Sequence, residues 1–246
     1  MSNSHAYSPA EQAAIYKVIA ERRDMRHFLS TAVAPEVLQK ILQAAHHAPS
    51  VGLMQPWRFI HITDNQLRKS IHQLVDIERI KTSQAIGEFE NTATGFVHNG
   101  FDAKSAEFLR LKVEGILECG ELLIATLCNN REQHIFGRRT IPEMDIASVS
   151  CAIQNMWLAS RAEGLGMGWV SLFDPIQLAQ LLQIPEDATP IAILCLGHVS
   201  SFYKAPMLVE TGWAKEKPLS EMLMENSWKT NGSQGDNLSE MGSKNE

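Results

Sequence analysis

The sequence predicts an α+β or α/β chain built on a mixed sheet with helices packed against it. Two apolar runs, Leu122 to Leu127 and Ile191 to Leu196, have the length and continuity of strands covered on both faces. Elsewhere apolar residues recur at three- and four-residue spacing, the mark of helices with one buried stripe. Short β-prone runs alternate with these helical stretches rather than gathering in one half of the chain.

Pro35 suits a first helical turn, and Val37, Leu38, Ile41, Leu42 and Ala45 follow at helical spacing. This helix should end before Pro49, because a residue preceding proline is pushed out of the α region. Phe59 to Ile62 reads as a short strand, and Leu67, Ile71, Leu74 and Ile77 as the buried stripe of the next helix. Gly87 to Asp102 holds three glycines, three Asn or Asp residues and no sustained period, so it reads as a loop or mobile lid. Ile146, Val149, Ile153, Met156, Trp157 and Ser160 outline a long core helix, with Gly164 as its stop. Gly168 to Leu172 is a third candidate strand. Asp174 and Pro175 give an N-cap and first-turn signal, with Leu178, Leu181 and Leu182 inward. From Ser227 the chain is polar and nearly free of aliphatic residues. The expectation is one domain over 1–228, with a lid or insertion about 85–115, and a disordered tail over 229–246.

Composition removes several functions. Of 246 residues, 44% are hydrophobic and 20% charged, as in ordinary globular domains. A net charge of −6 without a basic run argues against nucleic acid as partner. The longest apolar runs fall far short of the ~20 residues that cross a bilayer. Residues 1–13 are polar, with no signal-peptide core, so no membrane association and a cytoplasmic location are expected. Cys119, Cys128, Cys151 and Cys195 show no paired spacing, and Cys151 and Cys195, among apolar neighbours, read as small buried hydrophobes. No disulfide or metal site is expected, and His46 and His47 read as a helix end. P-loop, H-E-x-x-H and G-x-S-x-G motifs are missing.

Three segments carry chemistry. Arg22-Arg23-Asp24-Met25-Arg26 puts three guanidiniums within five residues, which suits a dianion such as phosphate or, more blandly, a solvated helix end. Ala48 to Trp57 holds two prolines and a glycine, an ordered turn whose Ser50 and Gln55 can hydrogen-bond a planar heterocycle while Trp57 gives an apolar wall or fills the core. Gly164-Leu165-Gly166-Met167-Gly168-Trp169-Val170-Ser171 runs from a helix end into a strand, and its glycines permit close backbone approach.

In this order the three segments resemble the nitroreductase-like flavoprotein family, over roughly Ala20 to Trp228. RRDMRHF, AAHHAPSVGLMQPWRFI, LKVEGI, GRRTIPEMD, QNMWLASRAEGLGMGWVSLFDP and LCLGHV look closer still to a branch of that family that makes 5,6-dimethylbenzimidazole, the lower ligand of vitamin B12. The resemblance implies the FMN-dependent nitroreductase α+β fold, a central mixed sheet flanked by helices, working as a homodimer whose interface builds two flavin sites. It implies that reduced FMN is both cofactor and substrate, O2 the co-substrate and erythrose 4-phosphate the second product. NAD(P)H would act only indirectly, through flavin reduction, with a flavin reductase as a further partner. Arg22, Arg23, Asp24, Met25, Arg26, Ser50, Gln55, Lys112 and Trp169 match flavin-contacting positions, with Glu114 beside Lys112 in the lid or pocket. Asp24 and Ser171 match catalytic ones. Most of the family has serine where this chain has Asp24, and asparagine where it has Leu53. Two other readings stand beside this one: a conventional FMN reductase passing hydride from NAD(P)H to a nitroarene, quinone or halogenated phenol, and a flavin-binding protein without turnover.

Overall fold

The computed structural model describes residues 5–92, 113–128, 137–212 and 214–228. Strands β1 (Trp57–Ile62), β2 (Glu121–Cys128), β3 (Gly166–Val170) and β4 (Ala188–Gly197) form one sheet in the order β1-β2-β4-β3. Every pairing between these strands is antiparallel. The parallel part of the expected mixed sheet is a single bridge, Asp24 to Met167, on the outer edge of β3.

The apolar run of β2 is continuous because both faces of the sheet are covered. Leu123 and Ala125 point into one core, with Ile41 and Ala45 of helix α2 (Pro35–His46) and Ile153 and Met156 of a long helix, Met144–Ala162. Leu122 and Ile124 point into the other, with Ile71 and Val75 of helix α3 (Asn65–Thr92), Ile116 and Leu178. Taken in chain order, Met144–Ala162 is α4 and Pro175–Leu181 is α5. As expected, Asp174 caps α5, accepting from the N–H groups of Ile176 (2.9 Å) and Gln177 (3.2 Å). Gly164 ends α4 at φ +77°, with open space where a β-carbon would stand. Residues from Met207 onward form a separate unit with a short helix, Met207–Glu210. Among the described residues no helix is long and apolar enough to cross a membrane.

Several expectations need correction. Helix α1, Pro9–Glu21, was not anticipated, although Ile15, Val18 and Ile19 recur at helical spacing; none of its residues is buried. Its start was legible, since Ser8 and Glu11 form a capping box behind Pro9. α3 runs through Thr92, so Gly87 to Thr92 is helical rather than loop, while 93–102 lie outside the described residues. β3 starts and ends two residues earlier than expected, which leaves Ser171 just past the strand. Cys151 is exposed and Ile146 is 40% exposed. The inward face of α4 is Ser148, Val149, Ala152, Ile153, Met156 and Ser160, a phase that turns Ile146 and Cys151 outward. Ile77, 47% exposed, also misses its core.

Candidate active site

After α1 the chain runs extended along the outer edge of β3. There Met25 N–H donates to Met167 O (3.0 Å), Trp169 N–H donates to Asp24 Oδ1 (3.0 Å) and Arg26 Nη1 donates to Trp169 O (3.3 Å). Main chain and side chains together thus satisfy the backbone groups that an edge strand would otherwise leave open. In extended chain, residues two apart share a face, so Asp24 and Arg26 meet and form an ion pair through Oδ2 and Nη2. The Arg26 side chain is 6% exposed and that of Asp24 is 37% exposed, so the carboxylate is the member of the pair that faces solvent. Gly168 makes this approach possible: a β-carbon there would stand 2.3 Å from Met25 O.

Trp157 of α4 supports the same segment. Its Nε1 donates to Arg23 O (3.0 Å) and Met167 O (2.9 Å), and the Arg22 guanidinium lies 4.8 Å over its ring. Arg23 donates through Nη1 to Ala20 O and Arg22 O (2.7 Å each) and through Nη2 to Lys204 O (3.0 Å). Arg23 Nε is buried without a hydrogen-bond partner, an orphaned donor. Trp169 is half-buried and Ser171 exposed beyond it. Glu114, half-buried, precedes Gly115, which packs against Arg26 O so closely that a β-carbon would stand 2.9 Å away. Lys112 lies outside the described residues.

Sequence reasoning missed Tyr203. Its hydroxyl accepts from Arg26 N–H (3.3 Å) and lies 2.8 Å from His27 Nδ1. No local pattern announces a contact across 177 residues.

The turn with Ser50 and Gln55 lies elsewhere. Ser50 Oγ accepts from Gln55 N–H (3.0 Å), and Val51 N–H donates to Ser148 Oγ (3.1 Å), anchoring the turn to the start of α4. Gly52, Leu53 and Gln55 have φ of +55°, +52° and +44°, and Leu53 is 78% exposed. Trp57 fills the core at 5% exposure and also helps line an open cleft of about 560 Å³ with Leu42, His46, Met54 and Gln55.

The sheet register measures the separation. Trp57 pairs with Leu127 of β2, whereas Met167 pairs with Leu196, which faces Glu121 of β2. The two rows are six residues apart along β2, roughly 20 Å, and β1 and β3 are opposite edges, roughly 14 Å apart. The structure therefore brings Arg22–Arg26 together with Gly166–Ser171 and sets Ser50 and Gln55 at the diagonally opposite corner.

An α+β sheet with an arginine-rich segment strapped to its edge and a polar turn at the far corner offers hydrogen-bond donors suited to an anionic, planar ligand. The pattern that defines the nitroreductase family matches residues 19–198. A protein of Rhodospirillum rubrum named 5,6-dimethylbenzimidazole synthase is 32% identical over 220 residues, which span 89% of this chain and 97% of that protein. A BluB-like flavoprotein from Clostridium difficile 630 superposes with a TM-score of 0.64 at 18% identity, covering 87% of this chain and 99% of that one. Iodotyrosine deiodinase bound to FMN and 3-iodo-L-tyrosine superposes with a TM-score of 0.64 at 20% identity, covering 87% and 100%. At these identities the structural likeness is one of fold. The chain belongs to the nitroreductase family and is a flavin-dependent oxidoreductase of that family, whose members bind FMN.

Proposed function

We propose that this chain consumes reduced FMN with O2 and releases 5,6-dimethylbenzimidazole and erythrose 4-phosphate, the pyrimidine ring of the isoalloxazine leaving as the remaining fragment. The observation that carries the reading is Asp24, a carboxylate held by Trp169 N–H and Arg26 with 37% of its side chain open to solvent. Most of the family has serine there, which offers no carboxylate to take up and return a proton. The relative from Rhodospirillum rubrum supports the same reading through its name and its nearly full-length match.

The residues present fit FMN. The Arg22 guanidinium and the orphaned Arg23 Nε are donors suited to phosphate and to ring oxygens. Reduced FMN, when bound, supplies the electrons that O2 takes up. The chain contributes the rest: the half-buried Trp169 as wall, the exposed Ser171 hydroxyl as a hydrogen-bonding group, and Asp24 as the proton acceptor and donor, whereas the Met25 side chain, expected at the flavin, is 1% exposed and packs in the core instead. Arg26 orients that carboxylate.

A homodimer belongs to this proposal. One chain keeps Ser50 and Gln55 about 25 Å from Asp24 by the register above, so a single flavin meets both segments only if a second copy supplies one of them. Mass spectrometry of an aerobic incubation with reduced FMN tests the chemistry: benzimidazole is expected, and reoxidised FMN with peroxide alone would overturn it. Mixing Asp24→Ala with Gln55→Ala tests the assembly. Two inactive parents should regain about a quarter of wild-type activity, from half the dimers being mixed with one intact site each; no recovery after subunit exchange would refute the shared site.

A further inference from the structure

The chain leaving β4 is fastened to the arginine segment at three points. Leu29 N–H donates to His198 O (2.8 Å), Arg23 Nη2 donates to Lys204 O (3.0 Å), and Arg26 N–H donates to the Tyr203 hydroxyl (3.3 Å). The third is different in kind, because a side chain stands in for a backbone acceptor. Successive N–H groups of extended chain point to opposite sides. Met25 N–H faces β3, so Arg26 N–H faces away from the sheet, where among the described residues no strand pairs with it. Tyr203 supplies the acceptor. His27 Nδ1 stands 2.8 Å from the same oxygen. A phenol has one proton, and with Arg26 N–H donating to this oxygen, a His27 tautomer with bare Nδ1 would accept the phenol's own O–H. Burial pushes the Tyr203 phenol above its ordinary value, which keeps that proton on oxygen.

We propose that Tyr203, oriented by His27, is a positioning residue for Asp24. The hydroxyl fixes the backbone at Arg26, and the Arg26 guanidinium, bonded to Asp24 and Trp169 O, fixes the carboxylate. The order of command is His27, Tyr203, Arg26, Asp24. The proposal rests on the catalytic role given to Asp24 above.

Three variants test it: Tyr203→Phe, His27→Leu and His27→Asn. In the flavin-free chain, Tyr203→Phe should speed hydrogen exchange of the Arg26 amide about tenfold, the equivalent of one neutral hydrogen bond. In turnover it should lower kcat for benzimidazole by about tenfold while KM for reduced FMN holds within about twofold. His27→Leu should behave in the same way. His27→Asn should be close to wild type, because its Oδ1 occupies the place of Nδ1 and accepts the same proton. Unchanged exchange and kcat in Tyr203→Phe would overturn the proposal, and so would a rise in KM at constant kcat. Wild-type protein that forms no benzimidazole would sink the functional reading alone. The positioning role would then be decided by Arg26 exchange together with the rate at which O2 reoxidises bound reduced FMN, with no change in Tyr203→Phe counting against it.

Discussion

The carboxylate of Asp24 accepts the backbone N–H of Trp169 across 145 residues of sequence, so one oxygen serves the sheet edge and the other the Arg26 ion pair. Asp24→Asn separates these duties, because an amide oxygen still accepts from Trp169 but carries no exchangeable charge. Reduced FMN should bind with near-normal affinity while benzimidazole formation falls by roughly two to four decades, the usual cost of a lost general acid or base. Asp24→Ser, which restores the residue common in the family, should reoxidise reduced FMN without fragmenting it. Near-wild-type product from Asp24→Asn, read by chromatography, would confine the carboxylate to its structural duties.

Arg26 is a sharper case. Its resemblance-based role was contact with phosphate or ring, yet both terminal nitrogens turn inward, to Asp24 and to Trp169 O. Arg26→Ala should therefore weaken FMN and riboflavin, the analogue without phosphate, by similar factors in fluorescence titrations. A loss confined to FMN, of about one to two decades for a charged hydrogen bond, would return Arg26 to the phosphate.

Leu53 occupies the left-handed region at φ +52° with its side chain 78% exposed, a conformation that asparagine adopts with less strain. Leu53→Asn should raise the unfolding free energy of the dilute chain by about 0.5–1 kcal/mol, measured by urea denaturation. If a second copy covers Leu53, that gain should vanish at concentrations where the chain dimerises. A loss of stability in the dilute chain would show that leucine is held by contacts within its own subunit.

Asp174 links α5 to pH. Hydrogen bonds from the Gln177 backbone and side chain and from Ile176 N–H hold its carboxyl below the ordinary aspartate value. A depressed folded value means stabilisation that is complete above the unfolded value of about 3.9 and is lost as pH falls through the lower, folded one. Asp174→Ala should therefore unfold earlier than wild type at neutral pH, and the gap in urea midpoints should close in strong acid. A gap independent of pH would mean that the charge of the cap contributes nothing.

What the sequence alone determined is local. Continuous apolar runs announced β2 and β4 as strands buried on both faces, since alternate residues of each enter different cores. Asp174 with Pro175, and Gly164, marked helix ends because caps act within a turn of the residue that makes them. The site segments were legible as motifs, Arg22 to Arg26 and Gly164 to Ser171 above all. Only the tertiary structure decided what they face. Periodicity could not set the phase of α4 closely enough to turn Cys151 outward, nor could it tell that Ile15, Val18 and Ile19 of α1, though at helical spacing, would not be buried. The bond from Trp169 to Asp24, the inward turn of Arg26, the Tyr203 hydroxyl on the Arg26 amide, and the placing of Gln55 at the opposite corner from Asp24 all follow from strand order and register. Those are set by how two cores pack on one sheet, and packing between residues far apart in the chain leaves no local spacing to read.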